Sequence, residues 1–200
     1  MSIGNNIARI SVDSNGYIQP SSLTSVDGSV FTDKALITNF PSGSSVQMVS
    51  TLYQWYNSVA LSTAWVDVPN MSLSITPRTS TSKLKIEMRW FGETQTAWDA
   101  VFGITRNGTL INMPVNVSGR DPAIGVPVQT YISDNNDSTP ELCFISTIDS
   151  PGTTSPVTYK LVCKCNTTGR SLYTGRVFGA TTATNYEQGS CEIIITEYLA

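Results

Sequence analysis

The sequence contains no histidine, few charged residues and no long apolar run. Without an imidazole there is no histidine general base, no Ser-His-Asp triad and no histidine-ligated metal, because histidine is the side chain whose pKa suits proton transfer near neutral pH. The commonest routes to hydrolytic catalysis are therefore closed. We predict no catalytic residue and no cofactor site in this chain.

The low charge also restricts the classes of partner. Charged residues make up 14% of the 200 residues, whereas Ser and Thr occur 25 times each; an ordinary soluble domain has ~25% charged residues. Lys and Arg number 12 against 15 Asp and Glu, so no basic stripe is available to neutralise phosphates, and we expect no nucleic-acid partner.

The apolar runs are too short for a membrane segment. The longest, such as residues 193–195, fall far below the ~20 residues of a membrane-spanning helix. The first residues, MSIGNNIARIS, lack the apolar core of a signal peptide. We therefore expect no membrane partner and no classical secretion.

The N-terminal quarter differs in composition from the rest. Its 50 residues include 11 Ser, four Gly and only five charged residues. Such a stretch cannot bury enough apolar surface to offset the entropy lost on ordering. We predict an extended N-terminal anchoring arm over residues 1–45, ordered by a partner, and a folded domain over residues 46–200. The largest apolar side chains of the arm are the candidate anchoring residues: Ile3, Ile7, Ile10, Val12, Tyr17, Ile18, Leu23, Val30, Phe31 and Phe40.

From about residue 46 onward the sequence shows the period of β-strands. Over residues 83–90, four apolar residues alternate with four charged ones, which predicts a strand with one buried face. Asn107-Gly108 between apolar runs predicts a tight hairpin. We therefore predict an all-β chain, an antiparallel β-sandwich or jelly roll of about eight to ten strands. The other candidate strands are residues 47–56, 59–66, 71–76, 98–104, 126–132, 141–148, 157–165, 171–178 and 191–198.

The four cysteines, Cys143, Cys163, Cys165 and Cys191, have three possible roles. Structural zinc usually takes two closely spaced pairs, but only one close pair exists here, with a single residue between its members. That pair extends the apolar face of the strand over residues 157–165. We favour reduced thiols buried in the core over a disulfide or a zinc site, because free cysteine behaves as a small apolar residue.

Two pairs of acids deserve comparison with sugar-cleaving enzymes, which need two carboxyl groups at one glycosidic bond. The possible pairs are Asp67 with Asp99 and Glu93 with Asp121, and nothing in their spacing brings either pair together. We therefore interpret them as surface acids. The acidic segment 134–137 lacks the spacing of a calcium loop and is interpreted as a polar turn, so no metal site is predicted.

Aromatic residues and one charged strand face are the candidate surface features. We expect most of the aromatics to fill the core and the remainder to bind sugar rings or a neighbouring subunit. The aromatics concerned are Tyr53, Trp55, Tyr56, Trp65, Trp90, Phe91 and Trp98. The charged face suggests either a protected sheet edge or solvated face, which we favour, or a salt-bridge surface between subunits. It consists of Lys83, Lys85, Glu87 and Arg89.

Several segments together resemble a known group of proteins. In chain order they are SITPRTSTSKLKI (74–86), FGITRNG (102–108), IDSP (148–151) with TYKL (158–161), and EIIITEY (192–198). Their order and spacing over residues 46–200 resemble the trimeric β-sandwich knobs of structural proteins of tailed bacteriophages. The resemblance implies a jelly-roll-like homotrimeric knob, with an N-terminal arm that fixes it to a capsid or tail protein. It also implies a place on the virion surface after assembly in the host cytoplasm.

These observations lead to one expected function and one alternative. We expect a non-enzymatic phage structural protein that decorates or cements the capsid. The alternative is a tail-fibre or spike protein that recognises host surface glycans through exposed aromatics and the loops 116–122, 133–140 and 181–189. A sugar-cleaving enzyme is disfavoured because the chain has no histidine and no paired-acid motif.

Overall fold

β-Strands account for all the regular secondary structure in the part of the chain that the computed structural model describes, residues 41–95, 100–129, 138–179 and 186–200. The apolar–polar alternation predicts this, because a strand turns successive side chains to opposite faces. The strands are β1 (Ser45–Tyr53), β2 (Asn57–Ala60), β3 (Val66–Ile75), β4 (Lys83–Thr94), β5 (Ala100–Arg106), β6 (Thr109–Leu110), β7 (Val128–Gln129), β8 (Glu141–Asp149), β9 (Val157–Cys165), β10 (Ser171–Thr174) and β11 (Cys191–Tyr198).

β4 lies at the centre of a seven-stranded sheet. One side of β4 pairs with β8, and β7 lies beyond β8. The other side pairs with β11 and, near its end, with β10. β1 and β2 lie outside β11 and β10. The second sheet has four strands in the order β3-β9-β5-β6. All of these pairings are antiparallel, so the prediction of an all-β antiparallel sandwich is confirmed.

The hydrophobic core lies between the two sheets. Every second residue of 84–90 on β4 is fully buried, as the alternation predicts. Trp90 packs against Phe102 of the smaller sheet with ring centroids 5.0 Å apart, and its Nε1 donates to Thr174 at 3.0 Å. Each such buried side chain contributes ~1.5–3 kcal/mol through removal of apolar area from water.

The predicted hairpin at Asn107-Gly108 is confirmed. Both residues have positive φ, 49° and 84°, and Arg106 pairs with Thr109 across the turn. Only residues that tolerate the left-handed region allow a two-residue turn of this kind. The hairpin therefore ends β5 and begins β6 through local backbone chemistry alone.

The predicted strand over residues 59–66 is wrong, because the chain changes sheets there. β2 belongs to the larger sheet and β3 to the smaller one, and residues 61–65 connect them without strand structure. In this connection the backbone N–H of Cys165 donates to the carbonyl of Ser62 at 2.9 Å. The sequence there is apolar on both sides of Ser62-Thr63 and has no Gly or Pro to mark a break, so the crossing leaves no clear signal.

The predicted strand over residues 171–178 is shorter than expected. β10 ends at Thr174, and Gly175 follows with a φ of 81°. A side chain at this position would place its Cβ 2.7 Å from the carbonyl oxygen of Trp55. Both the turn and the close approach of the two backbones therefore require glycine.

A buried polar network connects the two sheets. Asp149 at the end of β8 accepts a hydrogen bond of 2.6 Å from the hydroxyl of Tyr159 on β9. The same carboxylate accepts two bonds from Nη1 of Arg106 on β5, at 2.9 and 2.8 Å. Burial raises the pKa of Tyr159, and the hydrogen bond to Asp149 raises it further. The tyrosine hydroxyl therefore remains a donor to the carboxylate.

The chain divides into two units, Met1–Ser44 and Ser45–Ala200, and all the strands given above belong to the second. The predicted anchoring residues of the arm all lie outside the described residues, as does most of the arm itself. In the described ranges no helix has the length and apolar character needed to cross a bilayer.

Candidate interaction surfaces

The acids considered for sugar cleavage lie apart or outside the described residues. Asp67 is exposed and accepts a hydrogen bond of 2.6 Å from Nζ of Lys160. Its possible partner Asp99 lies outside the described residues, as does the acidic segment 134–137. The described contact of Asp67 is therefore an exposed ion pair with Lys160.

The two acids of the other possible pair, Glu93 and Asp121, accept hydrogen bonds from different donors. Asp121 accepts hydrogen bonds from Nζ of Lys164 and from the side-chain amide of Asn166. These bonds, that of Lys164 first, lower the pKa of the Asp121 carboxyl. Glu93 is fully buried and has a different set of donors. The structure therefore gives these two carboxyls separate structural roles.

All four cysteines are buried, free thiols, as predicted. Burial raises the pKa of Cys143 and of Cys163 to about 12, so the reactive thiolate is disfavoured at neutral pH. Among the described residues, no group of three or more His, Cys, Asp or Glu side chains is placed to hold a metal ion. The thiols serve as part of the apolar core.

Glu93, at the end of β4, connects the end of one predicted loop to the residues that precede another. Its Oε1 accepts hydrogen bonds from the hydroxyl and the backbone N–H of Thr139, at 2.6 and 3.2 Å. Its Oε2 accepts a bond of 2.5 Å from the backbone N–H of Phe178. Thr139 lies in the predicted glycan loop 133–140, and Phe178 precedes the loop 181–189. One buried carboxylate therefore holds the bases of both loops.

Glu141, at the start of β8, is a second buried carboxyl with hydroxyl and amide donors. It accepts bonds from the hydroxyl of Thr94 at 2.9 Å and from the Thr94 backbone N–H at 3.3 Å. Burial raises the pKa of Glu141 to about 8, and the nearby charge of Glu93 acts in the same direction. At neutral pH this carboxyl is therefore mostly protonated.

The third predicted glycan loop, residues 116–122, lines a shallow depression of ≈ 360 Å³. Two apolar side chains close to it are strongly exposed, Val115 at 87% and Val117 at 63%. Asp121 in this loop is bound to Lys164, and the Lys164 ammonium lies 5.5 Å from the ring centroid of Trp65. This loop is therefore fixed against the smaller sheet.

The outer face of the larger sheet exposes large apolar side chains. On β8 the buried and exposed residues alternate, and the exposed ones include Leu142, Phe144 and Ile148. Met48 and Leu52 are exposed in the same way on β1. Phe144 is 67% exposed. We call this the outer face, defined by the outward residues of β1, β11, β4, β8 and β7.

The charged residues of β4 lie in the middle of the outer face. Lys85 pairs with Glu87 at 2.9 Å, and Arg89 lies 3.9 Å from Glu192 of β11. The interpretation of these charges as protection of a sheet edge is wrong, because β4 has a paired strand on both sides. These charged side chains instead form the solvated centre of the outer face.

The aromatic residues divide between the core and the surface. Trp90 is fully buried, whereas Tyr53 and Phe91 pack against the core from partly buried positions. Trp55 is 80% and Tyr56 55% exposed. Trp98 lies outside the described residues.

Arg176 joins the exposed aromatics to the end of β10. Its guanidinium carbon lies 5.3 Å from the ring centroid of Tyr56 and 4.8 Å from that of Tyr173. Tyr173 in turn lies 5.0 Å from the ring centroid of Phe178. We call Trp55, Tyr56, Tyr173, Arg176 and Phe178 the aromatic cluster.

Sequence reasoning included Trp55 and Tyr56 among seven aromatic candidates without distinguishing the exposed ones, and it missed Arg176 and Tyr173. The two halves of the aromatic cluster lie more than a hundred residues apart in the chain, so no spacing connects them. A single arginine beside a glycine also gives no motif. The contact arises only because β2 pairs with β10.

Comparison with known proteins adds no family assignment. No protein-family model matches the chain, and no curated protein matches it either. The function is therefore argued from the surfaces described above and from the resemblance of the sequence segments.

Proposed function

We propose that this chain is a non-enzymatic structural protein of a bacteriophage particle. Its domain over residues 46–200 forms a homotrimeric knob at the virion surface, and its arm over residues 1–45 binds a capsid or tail protein. The phage assignment comes from the resemblance of the sequence segments. The single observation that carries the assembly function is the exposed apolar side chains of the outer face.

The apolar side chains of the outer face favour burial against a partner. Exposed Leu142, Phe144 and Ile148 form one column along β8. Soluble monomers rarely expose contiguous apolar patches of more than a few hundred Å². A column of this kind contributes to stability only after it is removed from water.

The outer face is large enough for a stable interface. Five strands lie side by side in the order β1-β11-β4-β8-β7, and β4 has 12 residues. The five strands have 9, 8, 12, 9 and 2 residues. With strands ~4.8 Å apart and ~3.4 Å per residue, the face covers roughly 650 Å². A standard specific interface removes about this area from each partner.

A second copy of the chain is the partner that fits the charges of the outer face. Lys85 and Glu87 already pair within one copy, and Arg89 lies near Glu192. Because both signs are present in equal number in these pairs, the outer faces of three copies can meet around a threefold axis without net repulsion. Closed symmetry can then bury the apolar column of each copy.

Sedimentation velocity on the full chain tests the interface. The double variant Phe144→Ser with Ile148→Ser should convert a wild-type trimer into a monomer with an unchanged circular dichroism spectrum. The matched control is Val115→Ser with Val117→Ser, which removes equally exposed apolar groups away from the outer face and should leave the trimer intact. A monomeric wild-type protein, or a trimeric Phe144/Ile148 variant, would contradict the proposal.

Deletion of residues 2–45 tests the arm separately. The shortened protein should remain a soluble trimer but should no longer be incorporated into phage particles. A count of copies per particle by quantitative mass spectrometry provides the measurement. Normal incorporation of the shortened protein would refute attachment through the arm.

A further inference from the structure

The segment between β1 and β2, together with the start of β2, presents aromatic and amide groups directly to solvent. All residues from 54 to 58, with the sequence QWYNS, are exposed, and Trp55 is 80% exposed. A tryptophan in this position adds almost nothing to the stability of the fold, because its ring remains in water. Tryptophan and tyrosine combine a flat apolar ring with a polar group, which suits binding surfaces.

The backbone of this segment is held in place by the end of β10. Gly175 approaches Trp55 so closely that a Cβ would lie 2.7 Å from the Trp55 carbonyl oxygen. The N–H of Gly175 also donates to the carbonyl of Phe91 at 2.8 Å. Trp55 is therefore presented from a fixed backbone.

The guanidinium of Arg176 is fixed beside these rings. Its Nη1 donates to the carbonyls of Val177, Phe178 and Gly179, at 3.0, 3.1 and 3.1 Å. The planar group also lies between the rings of Tyr56 and Tyr173. Such stacking holds a cation over aromatic faces.

Arg176 is left with unused charge and an unused donor. Within the described ranges no carboxylate lies within salt-bridge distance of it. Its Nε is buried and has no hydrogen-bond partner there. A ligand from solvent cannot reach a buried Nε, so a carboxylate would pair with the terminal N–H groups of the guanidinium. The cation is therefore oriented in advance, and no carboxylate of the described residues neutralises it.

We propose that Trp55, Tyr56 and Arg176 form a binding site for an acidic sugar unit of a polysaccharide, a pyranose ring that bears a carboxylate. The sugar ring stacks on the exposed aromatic faces, and its carboxylate pairs with the guanidinium. Gln54, Asn57 and Ser58 flank the two aromatic residues in the chain and are exposed, and their neutral side chains can hydrogen-bond to sugar hydroxyls.

The scarcity of charge favours a sugar over an acidic protein or a nucleic acid. No charged residue occurs between Lys34 and Asp67, so the segment that carries the aromatic rings supplies no cation. One arginine matches one carboxylate. Polyanionic partners are usually bound by several basic residues in a patch or stripe.

Fluorescence titration of the full-length protein with defined oligosaccharides tests the site. The probes are tetramers of galacturonic acid and of glucuronic acid, with neutral tetramers of galactose and of glucose as their matched counterparts. Either acidic tetramer should change the emission of Trp55, whereas the neutral tetramers should bind at least about tenfold more weakly, since the pairing with Arg176 is lost.

Variants identify the residues responsible. Trp55→Ala should weaken binding of the acidic tetramer by about tenfold or more, and Trp55→Phe by less, because a smaller ring still stacks. Binding by Trp55→Ala is measured calorimetrically because it lacks the fluorescent reporter. Val126→Ala, which changes another strongly exposed apolar side chain outside the predicted glycan loops, should bind like the wild-type protein.

Three results would overturn the acidic-sugar site. They are the failure of both acidic tetramers to bind, equal binding by Trp55→Ala, and tighter binding of a poly-glutamate peptide than of either tetramer. Phe144→Ser with Ile148→Ser separates this proposal from the assembly function. That variant should be monomeric but should still bind the acidic tetramer. Sedimentation therefore tests the assembly function, and titration tests the sugar site.

Discussion

Glu141 has hydrogen-bond donors but no cation among its described contacts. The hydroxyl and backbone N–H of Thr94 satisfy its oxygens, and the residue is fully buried. A buried carboxyl without a cation favours its neutral form, because removal of a charge from water is costly. The pKa of about 8 therefore has consequences for stability at neutral pH.

The first prediction concerns the pH dependence that Glu141 introduces. Its pKa is raised in the folded protein from 4.5 to about 8, so the folded state holds a proton that the unfolded state has lost. The stability contributed by the neutral carboxyl is complete below about pH 4.5, decreases as the pH rises, and is lost once the pH exceeds about 8. Glu141→Gln keeps the shape without the charge. It should match the wild-type protein at pH 5 and exceed it at pH 9 by on the order of a few kcal/mol.

Urea denaturation at both pH values measures this difference. Glu192→Gln provides the control, because Glu192 is partly exposed and lies on the outer face near Arg89. Its effect on the free energy of unfolding should stay within about 1 kcal/mol at either pH. An equal difference between Glu141→Gln and wild type at pH 5 and pH 9 would show that Glu141 does not titrate in this range.

β4 is the element on which both halves of the larger sheet depend. Its first part pairs with β11, its last residues pair with β10, and its other side pairs with β8 along most of its length. Position 92, near the end of the strand, carries a glycine. A Cβ there would lie 1.9 Å from the carbonyl oxygen of Tyr173 and 2.5 Å from the ring of Trp90.

The second prediction is that Gly92→Ala disrupts the pairing of β4 with β10. The carbonyl of Tyr173 belongs to the backbone and the Trp90 ring is fully buried, so neither can move aside cheaply. Overpacking of this kind costs ~1–3 kcal/mol or more. Thermal unfolding followed by circular dichroism should show a clearly lower midpoint than for the wild-type protein.

Gly103→Ala on β5 gives the comparison for this prediction. Its nearest neighbours are side-chain atoms of Leu110 and Trp65, at 3.1 and 3.2 Å, and side chains can shift by a few tenths of an ångström. Its effect should therefore be the smaller of the two. A larger loss of stability in Gly103→Ala than in Gly92→Ala would contradict the packing described here.

At the scale of the whole molecule, the core contains every thiol of the chain. Cys143 lies on β8, Cys163 and Cys165 on β9, and Cys191 on β11, so the buried thiols come from both sheets. Burial raises the pKa of Cys191 as well as those of Cys143 and Cys163. A reagent that needs an accessible thiolate can therefore react only after the sandwich opens.

The third prediction is that native protein does not react with Ellman's reagent. All four thiols should react together in denaturant, and the slow native reaction should follow the rate of global unfolding. Ser155→Cys, which places a thiol at an exposed position between β8 and β9, away from the outer face, should react at once and supplies the positive control. Rapid reaction of any native cysteine in the wild-type protein would contradict their burial.

The sequence predicted those features that depend on neighbours along the chain. The alternation over residues 83–90 predicts β4 and its buried face, and Asn107-Gly108 predicts the turn after β5. The apolar surroundings of Cys163 and Cys165 likewise predict buried thiols. Each of these signals lies within a few residues, because strand period, turn conformation and burial of one face are local properties.

Only the tertiary structure decided which distant segments meet. It placed β4 in the centre of its sheet, moved the chain between sheets at residues 61–65, and buried Glu93 beneath two loop bases. It also brought Arg176 to Tyr56. Strand pairing depends on contacts between residues far apart in the chain. The two-residue alternation of a strand is the same whichever strand pairs with it, so it does not identify the partner. The sequence by itself therefore determined the strands and their buried faces, and the fold decided the surfaces on which function is proposed.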